Sequence, residues 1–249
     1  SLVALSTITV NVSCNGTNTG AIQVTTTGGS TPYTYTWNDG ATSEDRLNLV
    51  AGTYSLTVND NNACSATVSI IITEPAALTF SETHNNVTCN GSSNASITTL
   101  TSGGTLPYTF VWNDGTSTPN RTNLGAGIYS VTVYDNAGCS ASLSATITQP
   151  PAFGVTALRN NVPCNGGSVG SIVISPSGGV TPYTFLWNDG TQNQNRSFLA
   201  AGTYSLTVTD NNNCTFSLTT VITQPALISV IETHSNVLCN AETNGTISL

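Results

Sequence analysis

The chain has no lysine and no methionine, and charged residues make up only 6% of it, four arginines against twelve acids. An ordinary soluble domain is about a quarter charged. The net charge of −8 excludes the basic footprint with which nucleic-acid binders neutralise phosphates. No run of 18 apolar residues occurs, so nothing reads as a membrane-spanning helix. Disorder is excluded for another reason. It requires high net charge and few β-branched or aromatic residues, whereas Val, Ile, Thr and Tyr abound, the palette of β-strands. No Cys-x-x-Cys pair with nearby His is present, which argues against zinc. No Ser/His/Asp arrangement, paired carboxylates or phosphate loop recurs, so the chain reads as a non-enzyme without a cofactor.

What is present is a period. Cys14, Cys89, Cys164 and Cys239 are spaced by 75 residues, as are Cys64, Cys139 and Cys214. Trp37-Asn38-Asp39-Gly40 returns at Trp112 and Trp187, and Ala51-Gly52-Thr53-Tyr54 returns at Ala201 and, with Ile128 in place of the Thr, at Ala126. Strict self-similarity defines the structural unit, and a unit of this length is a small domain. The expected domains are residues 1–75, 76–150 and 151–225, with 226–249 the start of a fourth repeat, so the chain reads as a segment of a longer array.

Each unit reads as six or seven short strands. In the second, Leu78 and Phe80 alternate in one phase and Val87 and Cys89 in the other, marking a bulge or a change of sheet. Tyr108, Phe110 and Trp112 share a face, and Asn113-Asp114-Gly115 turns the chain. Tyr129, Val131 and Val133 then face inward, and an Asp135–Gly138 hairpin leads to the strand of Ala141, Leu143, Ala145 and Ile147. Pro75, Pro150 and Pro225 close the units, because proline lacks the N–H for a ladder bond. The fold class is all-β, with tandem immunoglobulin- or PKD-like sandwiches in a rod-like array. At ~3.3 Å per residue the segment would be a rod of about 100–130 Å.

The composite pattern Val-x-Cys-Asn-Gly, Gly-Gly-x-x-Pro-Tyr-x-Tyr/Phe-x-Trp, Leu-x-Ala-Gly-x-Tyr and a closing Ile-Thr-Gln-Pro resembles the SprB repeat of giant surface adhesins in gliding Bacteroidota. Cys239-Asn240-Ala241 departs from it by one residue. The resemblance implies a long extracellular filament, exported by a type IX system and serving surface attachment and gliding.

The recurring residues supply the candidate sites. Trp37, Trp112 and Trp187 read as core residues rather than a sugar-stacking platform. Tyr54, Tyr129 and Tyr204 read as tyrosine corners, with the hydroxyl bonded back to upstream backbone. Asp39, Asp114 and Asp189, and Asp60, Asp135 and Asp210, read as turn formers. One carboxylate per loop is thin for calcium, which wants six to eight oxygens. His84 and His234 share a position that Thr9 and Arg159 fill elsewhere, so they read as surface residues. Arg46, Arg121 and Arg196 read as surface cations.

Two cysteines per small domain at fixed positions read as disulfides in an oxidising, extracellular location. Placing Ile8, Val10 and Val12 inward in phase with Cys14, and Ala66, Val68 and Ile70 inward with Cys64, favours Cys14–Cys64, Cys89–Cys139 and Cys164–Cys214. Pairing between neighbours, Cys14–Cys139, follows instead if the two hairpins lie at opposite ends. Pairing across the junction, Cys64–Cys89, is the third possibility.

Two functions fit. The first is the stalk of a cell-surface adhesin. Its partners would be neighbouring repeats, like filaments, and polysaccharide or solid surfaces bound through regions outside this segment. The second is a multivalent glycan- or protein-binding array, such as an accessory region of a secreted polysaccharide-degrading enzyme. The loops between Gly40 and Leu49 and their equivalents drift in sequence and read as free of extra exposed aromatics, which favours the stalk, because a shared ligand would need shared loop chemistry.

Overall fold

The computed structural model describes residues 2–237, 239–241 and 243–248. Among these every regular element is a strand. Two compact units form. One holds the residues up to Val87 together with Gly91–Gln149, and the other holds Thr88–Asn90 together with the residues from Pro150 onward.

Within the first repeat six strands are laid down: β1 (Ala4–Val10), β2 (Gly20–Thr27), β3 (Thr34–Trp37), β4 (Arg46–Leu49), β5 (Gly52–Asn59) and β6 (Ser65–Ile72). They pair antiparallel as two three-stranded sheets, β1-β2-β4 and β3-β5-β6. The six recur at Thr79–Asn85, Ala95–Ser102, Thr109–Trp112, Arg121–Leu124, Gly127–Tyr134 and Ser140–Ile147, and again from Gly154–Asn160 to Thr215–Ile222. Beyond them Thr233–Ser235 pairs with Thr246–Ser248.

Alternation makes the sandwich. Ile22 and Val24 from one sheet meet Trp37, Leu56, Val58, Ile70 and Ile72 from the other in one buried cluster, while intervening residues such as Gln23 and Thr25 face water. Side chains one strand position apart face opposite ways, so each strand contributes only every second residue. The β2–β3 connection is fixed by Gly28 and Gly29, both at positive φ. A side chain on Gly28 would lie 2.1 Å from the Leu2 carbonyl oxygen, and one on Gly29 would lie 2.9 Å from Asp60 Oδ2. A cis peptide, Thr31–Pro32, completes the turn.

The register defines two ends. Ala4 pairs with Thr27 and Val10 with Ala21, so β1 runs from an N-terminal end to the end that receives the loop of residues 11–19. Thr73 accepts the Val12 N–H there at 3.0 Å, so the chain also leaves by that end. β3 and β4 both run toward it, in different sheets, because Gly20 pairs with Leu49 while Thr34 pairs with Asn59. The connection between them, residues 38–45, therefore reverses the direction of everything that follows. β5 descends, and the hairpin at residues 60–64 lies at the N-terminal end, where the Asn61 N–H bonds the Ser30 carbonyl at 2.9 Å.

One expected phase is corrected. Ile8 and Val10 point outward, 67% and 55% exposed, and the half-buried residues of β1 are Leu5 and Thr7. The phase slips before Val12, which is buried.

Asn48, Asn123 and Phe198 occupy one repeat position at φ of 58°, 57° and 57°. Asn tolerates this left-handed region, whereas a bulky residue there is strained. Phe198 is 82% exposed, so little packing offsets the strain. Phe198→Asn should raise the stability of the third repeat by about 0.5–1 kcal/mol, read as a higher urea midpoint. An unchanged or lower midpoint would mean that the ring packs favourably where it is.

Candidate functional site

The recurring motifs converge on the two ends of each sandwich. At the C-terminal end the Cys14-Asn15-Gly16 loop is fastened to the departing strand. Asn15 Nδ2 donates to the Pro75 carbonyl at 3.0 Å, the Gly16 N–H donates to Glu74 Oε2 at 2.7 Å, and the Thr73 N–H donates to Asn11 Oδ1 at 3.0 Å. The same bonds recur with Asn90 and Pro150, Gly91 and Gln149, and Asn86 and Thr148. They recur once more with Asn165 and Pro225, Gly166 and Gln224, and Asn161 and Thr223. Cys-Asn-Gly and Thr-Glu/Gln-Pro, some 60 residues apart in sequence, are two halves of one latch.

At the N-terminal end a buried aspartate organises the hairpin. Asp60 accepts the N–H groups of Cys64 (2.8 Å), Ser30 (3.0 Å) and Asn62 (2.9 Å). These bonds, that of Cys64 foremost, hold its carboxyl below the ordinary Asp value by favouring the charged form. At Asp135 burial pulls the other way, and the N–H groups of Thr105, Cys139 and Ala137 outweigh it. Asp210 holds the Cys214 N–H at 2.8 Å. In every repeat the aspartate therefore presents the cysteine that follows it.

The two ends meet through disulfides. Cys14 bonds Cys139 and Cys89 bonds Cys214, each with Cα atoms 5.7 Å apart and a sequence separation of 125. The expected Cys14–Cys64, Cys89–Cys139 and Cys164–Cys214 pairings do not form, because the two cysteines of one repeat sit at opposite ends of its sandwich. Cys64–Cys89 does not form either. Cys64, Cys164 and Cys239 are free and exposed.

A second constellation recurs on the flank. Trp37, Trp112 and Trp187 are each 2% exposed, and their Nε1–H groups donate to the carbonyls of Ser43, Thr118 and Asn193 at 2.8 Å. The Tyr54, Tyr129 and Tyr204 hydroxyls donate to the carbonyls of Val50, Gly125 and Ala200 at 3.0–3.1 Å. Arg46, Arg121 and Arg196 lie 5.2–5.3 Å from the Trp rings. Their side chains are 14% exposed and grip both carboxylate oxygens of Asp39, Asp114 and Asp189. The arginines are thus not loose surface cations. Each closes the Asn-Asp-Gly turn over the Trp through a two-pronged ion pair and a cation–π contact. The recurrence of Asp and Arg seven residues apart was the signal for this clamp.

With their oxygens committed in this way, neither set of aspartates is arranged to chelate calcium. Among the described residues no group of three or more His, Cys, Asp or Glu side chains could hold a metal ion. His84 Nδ1 sits 3.0 Å from Glu82 Oε2, and His234 lies exposed in the Thr233–Ser235 strand. Phe198 corrects the reading that the Gly190–Leu199 segment lacks an exposed aromatic.

The clamp sets an acid limit on stability. Hydrogen bonds from Arg121 hold the Asp114 carboxyl down at about 2, and Arg46 and Arg196 lower those of Asp39 and Asp189. A carboxyl depressed in the folded state stabilises fully above its unfolded value, and that contribution is lost as pH falls through the folded value. For Asp114 the loss should run from about pH 4 to about pH 2. Thermal midpoints measured across that window should fall less steeply in Asp114→Asn than in the parent chain. Equal slopes would mean that the pair contributes nothing.

Three segments of the chain, residues 6–42, 81–117 and 159–192, match the family described as SprB repeat. They cover the latch loop, the paired glycines, the Trp strand and its turn. No curated protein matches the chain. Among solved structures it is similar to the N-terminal eight Ig domains of Down Syndrome Cell Adhesion Molecule, at 10% identity and TM-score 0.40 over 89% of this chain. It spans 43% of that structure. It is also similar to protocadherin gamma B7 extracellular cadherin domains 1–4, at 12% identity and TM-score 0.35, covering 91% of this chain and 72% of the other.

Proposed function

We propose that this chain, which carries three SprB repeats, is a stalk segment of an extracellular adhesin. Residues 1–75, 76–150 and 151–225 act as its domains and 226–249 as the start of another. The observation that supports this is the covalent joint: the C-terminal end of one repeat is bonded to the N-terminal hairpin of the next, as Cys14–Cys139 and Cys89–Cys214. A disulfide at each joint holds a chain of small domains together under tension, where a noncovalent contact would open. The recurring polar residues (Asn15, Asp39, Arg46, Asp60, Tyr54) are used up in latches, clamps and caps, leaving drifting loops outward. A stalk must keep its joints and can let its surface vary. The disulfides fit an oxidising, extracellular setting. From the family we infer a cell-surface filament exported by the type IX route, used in attachment and gliding, whose adhesive surface lies outside this segment. The role is structural rather than enzymatic.

Excision of residues 76–150 from the displayed filament tests this. It leaves Cys14 and Cys214 separated by 125 residues (200 − 75), so a joint of the same span can re-form. Display and attachment should persist on a shorter filament. Loss of attachment with display intact would make the repeats themselves the binding sites. The exposed Phe198 favours that second reading for the third repeat, and Phe198→Asn should leave attachment unchanged if the stalk reading holds.

A further inference from the structure

Asn15-Gly16, Asn90-Gly91 and Asn165-Gly166 are Asn-Gly pairs, and Asp39-Gly40, Asp114-Gly115 and Asp189-Gly190 are Asp-Gly pairs. In such pairs the glycine nitrogen can attack the side-chain carbonyl carbon before it, because no Cβ crowds the approach. An asparagine then loses ammonia to give a five-membered succinimide, and an aspartate loses water. Hydrolysis opens the ring to aspartate or isoaspartate. Each of the three repeats thus carries two of the sequences most open to this reaction.

The fold occupies both reacting groups of every one of these pairs. The asparagine Nδ2, which would leave as ammonia, donates to the carbonyl of Pro75, Pro150 or Pro225 at 2.9–3.0 Å. The glycine N–H, which must give up its proton, donates to Glu74, Gln149 or Gln224 at 2.7–2.8 Å. In the Asp-Gly pairs arginine grips the carboxylate, and the glycine N–H donates to the Trp carbonyl at 2.9 Å. Burial is not the shield of the Asn-Gly pairs, since all six of their residues are exposed and water reaches them. Their protection comes from hydrogen bonds to a segment 58–60 residues away in sequence. Closing the ring requires the asparagine side chain to swing over the next peptide, and the two anchors oppose that swing.

We propose that the Asn-Gly pair of each latch is a spontaneous modification site that the closed latch switches off, so that opening of the latch is recorded irreversibly. In the open latch of the second repeat, Gly91 N bonds to Asn90 Cγ and the Cγ–Nδ2 bond breaks. The proton of the Gly91 N–H leaves with Nδ2 as ammonia. One water then adds across a C–N bond of the ring. The product carries a carboxylate where Nδ2 donated, and an ionised carboxylate only accepts, so it cannot bond the Pro150 carbonyl. The iso form also adds a methylene to the main chain beside Cys89, which is bonded to Cys214. A marked latch therefore does not reclose. This chemistry belongs to the latch itself and holds whether or not the chain is a stalk.

The test incubates the whole oxidised chain in mildly alkaline buffer, beside the same chain reduced and held unfolded in urea. Peptide mass spectrometry follows ammonia loss at each asparagine and isoaspartate at each pair. Modification of this kind tracks the population of the open form. Asn90 should react at least about thirtyfold more slowly in the folded chain, the combined effect of two hydrogen bonds on opening. Gln149→Ala removes the acceptor of the Gly91 N–H and should raise the rate at Asn90 about fivefold, while Asn15, Asn165 and Asp114 keep their parent rates. Gln149→Glu, which copies Glu74 of the first repeat, should keep Asn90 protected. Equal rates at Asn90 in the folded and unfolded chains would overturn the proposal. So would a rise at Asp114 as large as that at Asn90 in the Ala variant, because the fold of the whole repeat would then be the shield. A Glu variant that reacts as fast as the Ala variant would overturn it as well.

Discussion

Cys14→Ser and Cys139→Ser should each lower the stability of the first compact unit by up to about 5 kcal/mol, and the double variant should cost no more than either alone. The bond spans 125 residues, and closing a span of that length removes about 5 kcal/mol of unfolded-chain entropy in the chain-entropy model. That figure is an upper bound, because it applies in full only if both sandwiches tied by the bond unfold together. Urea unfolding of the oxidised chain, with and without reductant, supplies the number. Reductant should have no further effect on the first unit of either variant. Additive losses in the double variant would mean that the two thiols act separately and are not joined.

Trp112→Ala should be the most damaging single change inside a repeat. Truncating a buried Trp costs about 3–5 kcal/mol, against about 4–11 kcal/mol for the whole stability of a domain of this size. The loss reaches beyond the core. The Thr118 carbonyl loses its 2.8 Å donor, and the Arg121 guanidinium loses the ring 5.2 Å away while still paired to Asp114. The second repeat should lose cooperative unfolding by circular dichroism at room temperature or come close to doing so. Trp112→Phe should retain the fold at intermediate stability, since a ring remains under the guanidinium. Full retention of stability in the Ala variant would mean that the Trp is not the centre of the core.

The period, the strand content and the faces of most strands were legible in the residues, because alternation in strands such as Ile70 and Ile72 fixes which side a residue takes. The pairing of the cysteines was not. Six strands running alternately up and down would place Cys14 and the hairpin of Cys64 at the same end, and the pairing within a repeat assumes that arrangement. The parallel course of β3 and β4, in different sheets, moves the hairpin to the other end. Nothing in residues 38–45 announces such a crossing, since a turn of Asn38-Asp39-Gly40 serves a hairpin equally well. Ile8 and Val10 misled in the same direction: they are apolar and alternate, yet they lie on the water-facing side. The Asp–Arg clamp was visible as a recurrence, but its meaning required the turn that folds one over the other.

The covalent joint between repeats is most directly tested by a tryptic map of the unreduced chain, digested after free thiols are blocked. Cleavage at Arg46, Arg121, Arg159 and Arg196 yields peptides 1–46, 47–121, 122–159, 160–196 and 197–249. Bonding between neighbours predicts 1–46 linked to 122–159 and 47–121 linked to 197–249, with 160–196 carrying a blocked thiol. A link between 1–46 and 47–121 would instead place the bond inside a repeat, and the joint as described would not exist.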